Sequence, residues 1–148
     1  MVVYLNREYI KKEADRLKKK YKTSDPKIIA LGEDIQLVYS PLTIWGMYTY
    51  LNKSKIIFVN SLLSETNQNI VLKHELGHAI FHPKSECFFS DSSNYLSKIK
   101  IEYEANLFLA ELSIDDIDAI ELNGYSIDQI ASKFNVPKEI VKLKFNIR

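Results

Sequence analysis

The chain has 148 residues, 46% of them hydrophobic, with 20 Lys and Arg against 19 Asp and Glu. That length can bury a core without disulfides or a structural metal, and the charge balance argues against a surface built as a whole to hold nucleic acid or an anionic membrane. A lone cysteine, Cys87, excludes an intramolecular disulfide, and no apolar run approaches the roughly 18 residues of a membrane span, so a cytoplasmic protein is expected.

Charge is biased only locally. Residues 1–24 carry eight bases against three acids, residues 102–121 carry seven acids and no base, and the last sixteen residues are basic again. Solvated helix faces account for all three runs. No signal-like apolar segment follows the basic N-terminal residues.

Residues 6–22 place Tyr9, Ile10, Ala14, Leu17 and Tyr21 at helical spacing, with Asn6 as a cap, and predict an amphipathic surface helix. Asp25-Pro26 reads as an N-cap followed by proline in the first helical position. A short second helix is expected there, with Ile28, Ile29 and Leu31 inward and Gly32 at its exit. β-Branched and aromatic residues then cluster in Ile35–Tyr39, Gly46–Leu51 and Lys55–Asn60, predicting three strands, the last two joined as a hairpin through Asn52-Lys53-Ser54. An exposed edge of this sheet could take up an extended peptide as one more strand.

Residues 66–83 hold the chemistry. Ile70, Val71, Leu72, Leu76, Ala79 and Ile80 give a helical pattern that Thr66 or Asn67 can cap and Pro83 ends. Inside it, His74-Glu75-Leu76-Gly77-His78 matches H-E-x-x-H. At about 100° per residue the two histidines lie about 40° apart and one turn along, close enough to share one ion. Glu75 borders the same face, where a carboxylate can take a proton from a water and later hand it to a leaving amine. Gly77 leaves room for close packing beside the metal.

The segment from Pro83 to about Lys98 is polar and reads as a long loop, with Cys87 an ordinary small residue in it. Helical periodicity resumes from Ile99 to Leu112, with Ile101, Ala105, Phe108, Leu109 and Leu112 inward.

A catalytic zinc takes three protein ligands and keeps one open position. The zincin class whose third ligand is a histidine six residues after the second is excluded, because position 84 is Lys and position 81 is Phe. A Glu from the later helix is the other arrangement, and Glu102 is the expected ligand, with Glu104 as the fallback. Asn106 falls one turn beyond Glu102, where its oxygen can accept the free N–H of His74. His82 stands one turn after His78, either as a helix-end residue or as a group lining the substrate cleft and facing an oxyanion.

With Glu102-Tyr103-Glu104-Ala105-Asn106-Leu107-Phe108-Leu109-Ala110 following the H-E-x-x-H stretch, the chain resembles the ImmA/IrrE family of metallopeptidases, whose second signature reads E-x-x-A-N-x-F-A. The resemblance covers about residues 1–125. It departs at Leu112-Ser113-Ile114, where many members carry a Leu-Met-Pro-like sequence. It implies an α+β, zincin-like domain of the gluzincin type, with a small antiparallel sheet, the H-E-x-x-H helix and a ligand helix. His74, His78 and Glu102 would hold Zn2+, or Mn2+, and Glu75 would activate water. Members of the family cut helix-turn-helix (XRE-type) repressors encoded by phages, mobile elements or stress operons, which makes such a repressor the implied partner.

Residues 113–123 predict a short helix capped by Ser113 and ended by Gly124. Residues 125–141 resemble a helix-turn-helix pattern whose second helix offers Lys138, Lys142 and Lys144. Lysines contact phosphate without reading bases, so direct DNA binding is not expected. The domain plan is thus 1–112 for the metallopeptidase and 113–148 for a helical segment packed on it. Two readings compete with a repressor-cutting endopeptidase: a metal-containing interaction or sensor module that does not hydrolyse, and a DNA-binding regulator acting through residues 125–145.

Overall fold

The computed structural model describes residues 7–147, without the side chains of residues 117–119. Asn6, the expected cap of the first helix, lies outside the described residues. Helix α1 (Arg7–Tyr21) turns Ile10, Ala14 and Leu17 inward and leaves Tyr9 at the surface. In α2 (Pro26–Gly32) Asp25 accepts the Lys27 amide at 2.9 Å and proline opens the helix, as expected. Its inward face differs from the expected one. Pro26, Ile29 and Ala30 are buried at the i, i+3, i+4 positions of one stripe, and Ile28 and Leu31 on the flanks are exposed.

Strands β1 (Ile35–Ser40), β2 (Gly46–Leu51) and β3 (Ser54–Asn60) fall where the sequence pattern puts them. The hairpin between β2 and β3 turns on Asn52 and Lys53, both with positive φ, the conformation that suits the twist of a two-residue connection. The sheet is not purely antiparallel, as had been expected. β1 pairs parallel with β3, and the order is β1-β3-β2-β4. Alternation of apolar residues identifies a strand but carries no direction. The β1–β2 connection is fixed by Asn60, which accepts from the amides of Leu42 and Leu62 and donates to the Leu42 carbonyl.

The fourth strand corrects the expected loop. β4 (Cys87–Phe89) pairs antiparallel with β2, Gly46 opposite Phe89 and Tyr48 opposite Cys87, and a short 3-10 turn (Ser92–Leu96) follows. Cys87 and Phe89 face inward and Phe88 outward. Burial pushes the Cys87 thiol up to about 11, which keeps it protonated and unreactive.

Helix α3 (Glu65–Phe81) is capped by Ser64, whose hydroxyl accepts the Asn67 amide, and not by Thr66 or Asn67, which lie inside its first turn. All its residues from Ile70 to Ala79 are buried. α4 (Lys100–Ser113) is nearly as enclosed, because α1, α3 and α7 all pack against it. Ser113 is the last residue of α4 and meets Lys73 Nζ at 3.1 Å, so the next helix, α5 (Asp116–Glu121), begins later than expected. α6 (Ile127–Phe134) carries a complete capping box between Ser126 and Gln129, turns at Asn135 in the left-handed conformation, and leads to α7 (Lys138–Phe145).

Two apolar clusters meet at α4. One joins α1, α2, the sheet and α3 through Ile10, Leu17, Ile29, Tyr48, Ile57, Leu72 and Phe108. The other seats α6 and α7 through Ile130, Val136, Ile140 and Val141 against Leu109 and Ile114. Lys144 reaches across this contact to Glu111 and Asp116, each at 2.8 Å, and Arg7 donates to the Leu143 carbonyl.

Hydrogen bonds from Lys11 and Lys144 lower the Asp116 carboxyl to about 2. A depressed acid stabilises the fold above its unfolded value near pH 4 and loses that contribution as pH falls toward about 2. More than half of the side chain is exposed, so the expected contribution stays below about 1 kcal/mol. Urea midpoints of Asp116→Asn should lie below wild type at pH 6 and converge with it at pH 2; an unchanged gap at pH 2 would contradict this.

Candidate metal centre

The site is built where α3 and α4 cross. His74 and His78 leave α3 on the same side, their Nε2 atoms 3.2 Å apart, and neither ring has solvent access. Glu102, in the first turn of α4, meets both: Oε2 lies 3.0 Å from His74 Nε2 and Oε1 2.9 Å from His78 Nε2. Among the described residues these three form the cluster able to hold a metal ion. Burial alone would raise the Glu102 carboxyl, but its contacts with the two imidazoles outweigh this and hold it well below the usual carboxylate range. Burial lowers His78 and favours its neutral ring.

Hydrogen-bond direction shows which atoms the cluster offers. Asn106 Nδ2 donates to the Asn94 carbonyl at 3.0 Å, which turns its oxygen toward His74 Nδ1 at 2.8 Å. An amide oxygen only accepts, so His74 carries its proton on Nδ1 and presents a bare lone pair at Nε2. That lone pair faces a carboxylate oxygen and a second imidazole nitrogen, a repulsive set unless a cation or a shared proton lies between them. Donor atoms about 2.0–2.2 Å from one tetrahedral zinc sit roughly 3.3–3.5 Å apart, within a few tenths of an ångström of the spacings here. The residues therefore fit a divalent ion.

Glu75 is fully buried between α3 and the sheet, and neither carboxylate oxygen has a hydrogen-bond partner among the described residues. Burial, with the nearby Glu102 charge second, raises its carboxyl well above the usual range. Gly46 of β2 lies nearby. A Cβ on Gly46 would stand 2.5 Å from Val71 Cγ1 and 2.9 Å from the Phe58 carbonyl oxygen, so only glycine lets β2 lie this close to α3 beside Glu75.

Gly77 does the same between helices, since a Cβ there would stand 3.2 Å from the Ala105 backbone and 3.3 Å from Phe108. Glu104, the fallback ligand, is outside the cluster; its Oε1 lies 3.1 Å from His82 Nε2. His82 caps the C-terminus of α3, and its Nδ1 is 3.0 Å from His78 Nδ1.

Two contributors carry no signal in the sequence. Phe89 of β4 packs perpendicular to the His74 ring with centroids 4.7 Å apart, and Trp45 stacks on Phe89. Asn94, in the 3-10 turn, donates to Glu102 Oε2 at 3.3 Å and to the Phe88 carbonyl at 3.2 Å. A lone asparagine in a polar stretch has no spacing to mark it. The approach to Glu102 is a cleft of about 520 Å³ lined by Glu86, Cys87, Phe88, Asn94, Ile99 and Glu102.

Residues 30–146 match the family described as Peptidase_M78, IrrE N-terminal-like domain. The chain is 37% identical over 139 residues to "Uncharacterized immunity region protein 2" of Bacillus phage phi105, covering 91% of this chain and 88% of that protein. It is 34% identical over 95 residues to "Metallopeptidase ImmA" of Bacillus subtilis (strain 168), covering 62% of this chain and 55% of that protein.

Proposed function

The chain belongs to the Peptidase_M78 family, and from that premise we propose that it is a zinc-dependent endopeptidase that makes a limited cut in a helix-turn-helix repressor and so relieves repression of phage or mobile-element genes. The observation that carries the reading is the convergence of His74 Nε2, His78 Nε2 and the Glu102 carboxylate within 3.2 Å, with His74 holding its proton on the far nitrogen. The names of the two relatives, one a metallopeptidase and one from a phage immunity region, support the enzyme class and the setting. A cytoplasmic location and a zincin-like arrangement belong to the same proposal. That no helix among the described residues is long and apolar enough to cross a membrane agrees with it.

In this mechanism His74, His78 and Glu102 would hold the ion, and Asn106 fixes the His74 ring. A divalent ion held there would supply Lewis-acid chemistry to the scissile carbonyl and to a water. Glu75 is the group that would take a proton from the attacking water and deliver it to the leaving amine, and its carboxylate oxygens are buried with no hydrogen-bond partner among the described residues to compete for that role. Phe89, itself fully buried, packs on the His74 ring. The edge strand beside the site is β4, and a substrate segment entering the cleft would lie along it, beyond the expected β2–β3 hairpin.

The competing readings find less support. Lys144, one of the basic residues of α7, is almost fully buried and paired with Glu111, and Ile140 and Val141 turn that helix onto α4. A helix held this way acts as part of one compact unit with the catalytic core and offers little to a DNA groove. A non-hydrolytic metal module gives no reason to keep an unpartnered carboxylate buried at Glu75.

The test is co-expression with helix-turn-helix repressors encoded beside the gene. A discrete repressor fragment that appears with wild type and is absent with Glu75→Gln supports the proposal. An intact repressor beside folded, zinc-loaded enzyme overturns the assignment of substrate.

A further inference from the structure

Asn106 orders the proton on His74, and the corresponding question for His78 has its answer one turn further along α3. His78 Nδ1 lies 3.0 Å from His82 Nδ1, and two imidazole nitrogens at that distance share a single proton. The other end of the line decides which ring owns it. His82 Nε2 lies 3.1 Å from Glu104 Oε1, and a carboxylate oxygen accepts, so His82 donates there from Nε2. A neutral His82 then has only a lone pair at Nδ1. With a cation between His78 and Glu102, His78 donates from Nδ1 to His82, and its Nε2, 2.9 Å from Glu102 Oε1 and 3.2 Å from His74 Nε2, keeps its lone pair for the ion.

We propose that His82 and Glu104 are a positioning pair that fixes the tautomer and ring rotation of His78, so that its Nε2 lone pair faces the cation site. An imidazole with nothing at Nδ1 is free to carry its proton on Nε2, the nitrogen an ion needs, and metal binding must then first displace that proton. Surroundings hold the pair in place. The His82 side chain is 9% exposed and that of Glu104 3%, so solvent has little access to stand in for either group. The His82 main chain is anchored as well: its amide donates to the His78 carbonyl at 2.8 Å, and its own carbonyl accepts the Ser85 amide at 3.0 Å and the Ser85 hydroxyl at 2.6 Å. Both nitrogens of His82 are engaged behind the ligand, which favours the helix-end alternative over the oxyanion one. Glu104 serves the metal through two rings and not as its ligand.

This inference rests on the metal reading above, and its test separates the two. Zinc affinity is measured by competition with a chromogenic chelator for wild type, His82→Phe, Glu104→Ala and Glu104→Gln. Long-range 1H–15N correlation spectra of the metal-free, 15N-histidine-labelled proteins report which nitrogen of each ring is protonated. His82→Phe and Glu104→Ala should each weaken zinc binding about 10–100-fold, while Glu104→Gln, whose amide oxygen still accepts from His82, should stay within about threefold of wild type.

In wild type His78 should be protonated on Nδ1, in His82→Phe the proton should move toward Nε2, and His74 should keep its tautomer throughout. The Glu104 variants decide the matter if His82→Phe does not fold. Wild-type affinity with an unchanged His78 tautomer in His82→Phe, or equal losses in Glu104→Ala and Glu104→Gln, would overturn the pairing and leave the metal site standing. Failure of wild type itself to bind zinc would overturn the metal reading and this inference together.

Discussion

Glu75→Gln is expected to lower the rate of peptide cleavage by at least about 100-fold and up to about 10,000-fold while zinc stoichiometry stays at wild type. The amide has the carboxylate's shape and lacks its basicity, so the loss isolates proton transfer from metal binding. A second substitution at the same position should show the cost of keeping that group. Both Glu75 oxygens are buried without a hydrogen-bond partner among the described residues. Glu75→Leu should abolish activity and stabilise the metal-free protein by about 1–3 kcal/mol, read as a higher urea midpoint with unchanged slope. If Glu75→Gln retains more than about a tenth of the wild-type rate, another group is the base.

Gly77→Leu should be the most damaging single change away from the ligands. The Ala105 backbone stands 3.2 Å and the Phe108 side chain 3.3 Å from where a Cβ would be, so a branched side chain has to push α4 off α3. Overpacking of this kind costs about 3 kcal/mol. It also moves Glu102 and Asn106 relative to the two histidines, because all four sit on the two helices being separated. Zinc affinity should therefore fall together with thermal stability. Gly77→Ala is the control: the alanine gains roughly 1 kcal/mol of helix propensity and loses a comparable amount to crowding, so stability should change by less than about 1 kcal/mol. A Gly77→Leu protein that melts like wild type and binds zinc equally well would show that the crossing is looser than it looks.

The readable parts of this protein are those governed by local spacing. His74, Glu75 and His78 share one helix, and Glu102 and Asn106 share another, so 3.6-residue periodicity puts each set on a usable face before any tertiary contact is known. What could not be read depends on which elements meet. Strand direction in the sheet is set by the chain path, and β4 is three residues in a polar stretch, too short for its alternation to register. The link between His82 and Glu104 spans two helices and exists only because α4 crosses near the end of α3. Phe89 and Asn94 reach the site through β4 and the turn after it, elements the pattern did not reveal. Ile28 and Leu31 show the opposite failure, an apolar stripe read on the wrong side of a helix only two turns long.

α4 is enclosed by neighbours along most of its length, and its first turn carries Glu102. An ion clamped there would bolt that end to α3, so its binding energy would count toward survival of the whole molecule. Cells short of the metal would then hold fewer copies, because quality-control proteases draw on the opened state. Metal supply would set the abundance of this protein as well as its turnover.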